Sequence, residues 1–185
     1  MPGRVNGTDT IFLINKADIL VDLWKDVTYG RIVFSYRPEK SDPNRTRLTV
    51  GGDRVNYNGD CGTPTADLLT VKLFLNSTIS TLGARFMTLD IKYFYLMTPM
   101  ERYEYMRLKL ANLPEDVTKQ HKLRERVTKD GYIYLEIRHI MYVLLQAGMI
   151  AQKQLEKRLN AVGYRKSSLT PGFWTHTNRP IYFTP

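Results

Sequence analysis

Apolar and polar positions along this chain follow two rhythms, and the switches between them mark its elements. Residues 30–36 (GRIVFSY) are β-rich, residues 37–44 (RPEKSDPN) hold two prolines among turn formers, and residues 45–50 (RTRLTV) alternate again. This predicts a strand–loop–strand hairpin with a basic second arm. Gly51, Gly52, Asn56, Asn58, Gly59 and Gly62 then mark a long loop. Thr63 can cap a helix, Pro64 suits its first turn, and Asp67 favours the positive end of its dipole. Leu68, Leu69, Val71, Leu75 and Ile79 recur at helical spacing, so this helix is expected to end near Gly83.

Residues 85–97 (RFMTLDIKYFYLM) are an apolar and aromatic run, and they read as a buried strand with one carboxylate, Asp90, inside it. An isolated buried carboxylate costs several kcal/mol, so a strand that keeps one has a use for it, such as a metal ion, or has Lys92 as its partner. The alternative is a strand-end Asp that reaches solvent. Beyond it, residues 105–110 alternate, with Arg107 and Lys109 on one face and Met106, Leu108 and Leu110 on the other. A charged, exposed helix over 114–127, a turn at Asp130 and Gly131, and a strand over 132–138 follow. Residues 146–162 predict a second long helix carrying Lys153, Lys157 and Arg158, and residues 172–183 a closing hairpin. Residues 1–27 read as irregular apart from an amphipathic helix over 16–24. The order is α+β, not an alternating parallel-sheet pattern.

The length of 185 residues suits one ordinary domain with a core. A formal charge of +9 favours a polyanionic partner, nucleic acid first, and 12 Tyr offer flat faces for stacking. The bland alternatives are a charge that serves solubility or an acidic protein partner. Cys61 is the only cysteine, which excludes an internal disulfide and a multi-cysteine zinc site. His121, His139 and His176 show no metal spacing. The longest apolar run, 140–150, is too short for a bilayer, and Asp9, Lys16 and Asp18 argue against a secretory signal. The expectation is a soluble, intracellular protein without a membrane partner.

A basic hairpin, an acid on an apolar strand, an aromatic five residues later and a Gln-Ala-Gly entry into a basic helix occur in that order. The quoted stretches are residues 29–55, 63–76 (TPTADLLTVKLFLN), 89–96 (LDIKYFYL), 141–148 (MYVLLQAG) and 170–184 (TPGFWTHTNRPIYFT). Together they resemble the fingers and palm of a copia-type retrotransposon reverse transcriptase, over residues 29–184. The resemblance implies an antiparallel sheet packed with two long helices, residues 29–185 as fingers and partial palm, and residues 1–28 as an N-terminal extension. It implies RNA-directed DNA polymerisation by two Mg²⁺ ions, with RNA template, DNA primer or hybrid duplex and a deoxynucleotide triphosphate as partners. It also implies a cytoplasmic (virus-like particle) or nuclear setting.

Residue by residue, the resemblance makes Asp90 the first metal-binding acid, with Ile91 offering its carbonyl. Tyr95 matches the aromatic gate beneath the incoming sugar, although core packing is its ordinary role. Arg47, with Arg45 beside it, matches the fingers cation on the triphosphate; a solvated hairpin face is the alternative. Gln146 and Gly148 match the turn where template and nucleotide meet, and Arg107, Lys109, Lys153, Lys157 and Arg158 would face nucleic acid. Three departures stand out. The family's Asp-Asp pair would fall just past Phe183, beyond this sequence. Val143 and Leu145 stand where the family has glycine and proline or lysine, so that turn is expected to be rebuilt. Tyr93 replaces a small polar residue. The expectation is a truncated copy that binds nucleic acid without polymerising alone; the alternatives are a non-catalytic RNA/DNA-binding module or a protein meeting an acidic partner.

Overall fold

The computed structural model describes residues 8–184, so the reading of residues 1–7 lies outside the described residues. The chain divides into two compact units, one of residues 1–59 and 93–147, the other of residues 60–92 and 148–185. Taken together the elements are mixed α+β, as the pattern predicts.

The first unit holds a five-stranded sheet in the order β1-β5-β4-β2-β3. Its strands are β1 (Ile11–Ile14), β2 (Thr28–Tyr36), β3 (Asn44–Val50), β4 (Pro99–Lys109) and β5 (Tyr132–His139). β2 and β3 form the expected antiparallel hairpin, with Arg37 N–H donating to the Pro43 carbonyl across its turn. β4 pairs antiparallel with β5, and β1 with β5. The sheet is not wholly antiparallel, because β2 joins β4 in parallel at Thr28 and Tyr29. Nor is the N-terminal region irregular throughout: β1 is a strand, and the helix expected over 16–24 is two short 3-10 segments, Lys16–Asp18 and Val21–Asp26.

Period-two alternation gives this sheet two unlike faces. Met106 and Leu108 on β4 pair with Leu135 and Ile133 on β5, and all four are buried. Gly30 on β2 keeps that face close-packed, since a β-carbon there would meet Leu108 and Met106 at 3.2 and 3.4 Å. The helix expected over 114–127 is shorter: it spans only Glu115–Gln120, and Lys122 at φ +50° precedes a 3-10 turn at Leu123–Arg126.

The second unit holds the long helices, α1 (Leu68–Ser80) and, after the short α2 (Glu115–Gln120) of the first unit, α3 (Ala147–Ala161), whose first residue lies at the unit boundary. It also holds a three-stranded antiparallel sheet of β6 (Tyr164–Lys166), β7 (Trp174–His176) and β8 (Tyr182–Phe183). Its packing is aromatic: buried Trp174 stacks on Phe183 at 5.8 Å, and Phe74 meets Phe173 edge-on at 6.1 Å. α1 is capped by Asp67, whose Oδ1 accepts from the Thr70 N–H at 2.6 Å, and not by Thr63. None of the α1 residues is buried.

The strand expected around Asp90 does not form. Residues 84–91 have no regular structure, and Phe86, Met87, Leu89 and Ile91 are exposed along with Asp90. The physical reason is that a strand is a property of a pair. An apolar run offers a face, but no neighbouring segment supplies the ladder that would satisfy its backbone, so the run stays in water.

A candidate nucleic-acid interface

Register builds the candidate interface on the second face of the five-stranded sheet. Tyr29 of β2 stands beside Arg107 of β4, and Arg107 stands beside Tyr134 of β5. Along β2 the same face carries Arg31, Val33 and Ser35, and the last two pair with Arg47 and Arg45 of β3. Along β4 it carries Lys109, opposite Tyr132. Arg31, Arg45, Arg47, Arg107 and Lys109 therefore share one side of one sheet. Three of these cations lie over rings: the Arg107 guanidinium is 4.8 Å from the Tyr132 centroid, the Lys109 ammonium 5.8 Å from the same ring, and the Arg31 guanidinium 5.5 Å from that of Tyr29. Glu136, opposite Tyr105, is an acid on this face, and Arg138 pairs with it at 2.5 Å. The Nε of Arg47 is shielded from solvent and has no hydrogen-bond partner.

Behind this face lies a polar cluster that sequence reasoning missed. Glu104 is 2% exposed, accepts from Gln146 Nε2 at 3.1 Å, and sits 3.7 Å from Arg102 Nε. Arg102 also pairs with buried Asp26 at 2.9 Å and reaches the Asn56 carbonyl. Burial pushes the Glu104 carboxyl above its ordinary range and Asp26 adds to the push, while Arg102 and the Gln146 amide oppose it. The only signal in the sequence was a Glu at a core-facing position of an alternating strand.

The other expected site residues are distributed as follows. Gln146 is buried, its Nε2 donates to Glu104, and its Oε1 has no hydrogen-bond partner among the described residues. Tyr95 packs between Phe94 at 5.8 Å and Tyr142 at 6.0 Å. Asp90, Ile91, Gly148, Lys153, Lys157 and Arg158 belong to the second unit. There Lys153 and Lys157 lie one turn apart on the exposed side of α3, and a β-carbon on Gly148 would meet the Thr63 side chain at 2.9 Å.

At the turn where a rebuilt backbone is expected, Val143 itself takes the left-handed region. Leu144 N–H donates to the Met141 carbonyl, and Val143, third in that turn, holds φ at +78°. Tyr93 holds φ at +57°. Both take backbone that glycine or a small polar residue adopts most readily.

The residues present do not fit a two-ion centre. Asp90 stands on exposed irregular chain, and no group of three His, Cys, Asp or Glu side chains converges among the described residues. No helix among them is long and apolar enough to cross a membrane. Comparison with models of known families, with curated proteins and with solved structures finds no match in any of the three.

Proposed function

We propose that this chain carries fingers and palm elements like those of a copia-type reverse transcriptase, binds nucleic acid and does not polymerise by itself. The observation that carries the nucleic-acid reading is the register that sets Arg31, Arg45, Arg47, Arg107 and Lys109 on one sheet face. Cations held on a rigid surface and interleaved with tyrosines suit a phosphate backbone. The ordered motifs at residues 29–55, 63–76, 89–96, 141–148 and 170–184 support the family, as does glycine-like backbone at Val143. RNA–DNA hybrid, the duplex this family handles, is the proposed ligand of the basic face. A non-catalytic binding module is the form of this reading that the scattered carboxylates favour.

The test is binding of a labelled RNA–DNA hybrid across a salt series. Arg45→Ala with Arg47→Ala should weaken binding and flatten the slope of log K against log salt by roughly one to two. Unchanged affinity and slope would overturn the assignment of this face.

A further inference from the structure

The turn out of β6 reads Arg165-Lys166-Ser167-Ser168-Leu169 and lies outside all five stretches that carry the family resemblance. Ser168 is the one Ser or Thr of the sequence with a cation both two and three places before it. From Lys157 to Pro185 the sequence has no Asp or Glu, so the setting is basic throughout. The fold treats the two serines differently. Ser167 is half-buried: its N–H donates to the Phe173 carbonyl at 2.8 Å, and its Oγ accepts from the Leu169 and Thr170 N–H groups at 3.2 and 3.0 Å. Ser168 is exposed, its hydroxyl makes no hydrogen bond among the described residues, and Leu169 beside it is 91% exposed. The far end of the loop is fixed, because Phe173 meets Phe74 edge-on at 6.1 Å and Gly172 backs onto the backbone of Thr65 and Ala66. The near end is extended: β6 is an outer strand of its sheet, and Arg165 and Lys166 on it are both exposed.

We propose that Ser168 is a phosphoacceptor for a basophilic serine/threonine kinase, with ATP as the phosphoryl donor. Such kinases set carboxylates in the substrate groove against cations ahead of the acceptor, so charge pattern decides what they take. Arg165 and Lys166 supply those cations, and Leu169 offers an apolar contact just after the acceptor. Both cations can turn to a partner. Arg165 Nη1 donates to the carbonyls of Asn160 and Tyr164 at 2.8 Å each, and Lys166 Nζ holds Glu156 at 2.9 Å in a surface pair that water and salt weaken. In the transfer, Ser168 Oγ attacks the γ-phosphorus of ATP. The new Oγ–P bond forms as the bond from that phosphorus to its bridging oxygen breaks, ADP leaves, and the hydroxyl proton passes to the kinase's aspartate base. A kinase takes its peptide extended, so the two N–H bonds to Ser167 Oγ open while β6 needs no change. The product carries a charge of about −1.5 to −2 at pH 7. This site is independent of the nucleic-acid reading, since none of its residues belongs to the five-stranded sheet.

The experiment incubates the full chain with ATP and the catalytic subunit of a cyclic-AMP-dependent protein kinase, a basophilic enzyme, and maps the phosphate by tandem mass spectrometry. The phosphate should sit on Ser168, and Ser168→Ala should lose most of the incorporation. Arg165→Ala with Lys166→Ala should raise KM by about tenfold or more with kcat little changed, because cations away from the reacting atoms act in ground and transition states alike. These side chains are exposed, so the variants leave the core untouched, which circular dichroism checks. Ser167→Ala frees the Leu169 and Thr170 N–H groups and should be phosphorylated at least as fast as the parent. An acidophilic kinase should leave Ser168 unmodified. Phosphate on Ser167, or on exposed Thr88 with Arg85 three places before it, in place of Ser168 overturns the assignment. So does a KM that ignores the loss of both cations, or modification that appears only after the chain is unfolded in urea.

Discussion

The carbonyl oxygen of Val143 fills the space that a β-carbon on Gly52 would need, and Val143 itself holds φ at +78°. The loop after β3 and the turn after β5 are thus locked together by one residue that must be small and another in uncommon backbone. Gly52→Ala should destabilise the chain by about 2 kcal/mol, because backbone must move. Val143→Gly should stabilise it by about 1 kcal/mol by relieving left-handed strain on a β-branched residue. Urea midpoints check both; a Val143→Gly midpoint equal to or below that of the parent would show that the strain is not there.

The Glu104 carboxyl is held above its ordinary range, chiefly by burial. The folded chain therefore binds more protons than the unfolded one between the two carboxyl pKa values, and stability falls as pH rises through that window. Glu104→Gln keeps the shape and can still bond Gln146. It should flatten this limb, with its advantage over the parent growing from acid towards neutral pH. Parallel stability profiles for the two proteins would contradict the coupling.

Arg102 bridges two buried acids, Asp26 and Glu104. Removing it strands negative charge in the core, so Arg102→Ala should cost about 3 kcal/mol. The loss should shrink when Glu104→Gln is added. A double-mutant cycle measures that shrinkage, and strict additivity would mean that Arg102 acts through packing alone.

Primer extension on an RNA template should fail for this chain with Mg²⁺ or Mn²⁺. Two-ion transfer needs carboxylates from several segments around metals about 4 Å apart, and Asp90 stands without such a cluster among the described residues. Extension that vanishes in Asp90→Ala would show that something else completes the site.

Local signals were legible in the sequence, and pairings were not. The β2–β3 hairpin was readable because Pro38 and Pro43 bracket its turn, and β5 because Asp130 and Gly131 announce it. β1 went unread: four residues long, it gains its ladder only from β5, more than a hundred positions away. Residues 84–91 erred the other way, with apolar content but no partner. The pattern did put Arg107 and Lys109 on a common face. That this face continues to Arg45 and Arg47 depends on the parallel contact of Tyr29 with Arg107, a tertiary fact that alternation cannot encode.

Crowding Arg31, Arg45, Arg47, Arg107 and Lys109 onto one side of a sheet sets the folded chain against its own electrostatic repulsion. Added salt screens that repulsion and should raise the unfolding midpoint of the protein by itself. The same salt would weaken the grip proposed for these cations on a polyanion. Ionic strength should therefore move the two properties in opposite directions, and the chain should be most resistant to unfolding, at low salt, only when nucleic acid neutralises the face for it.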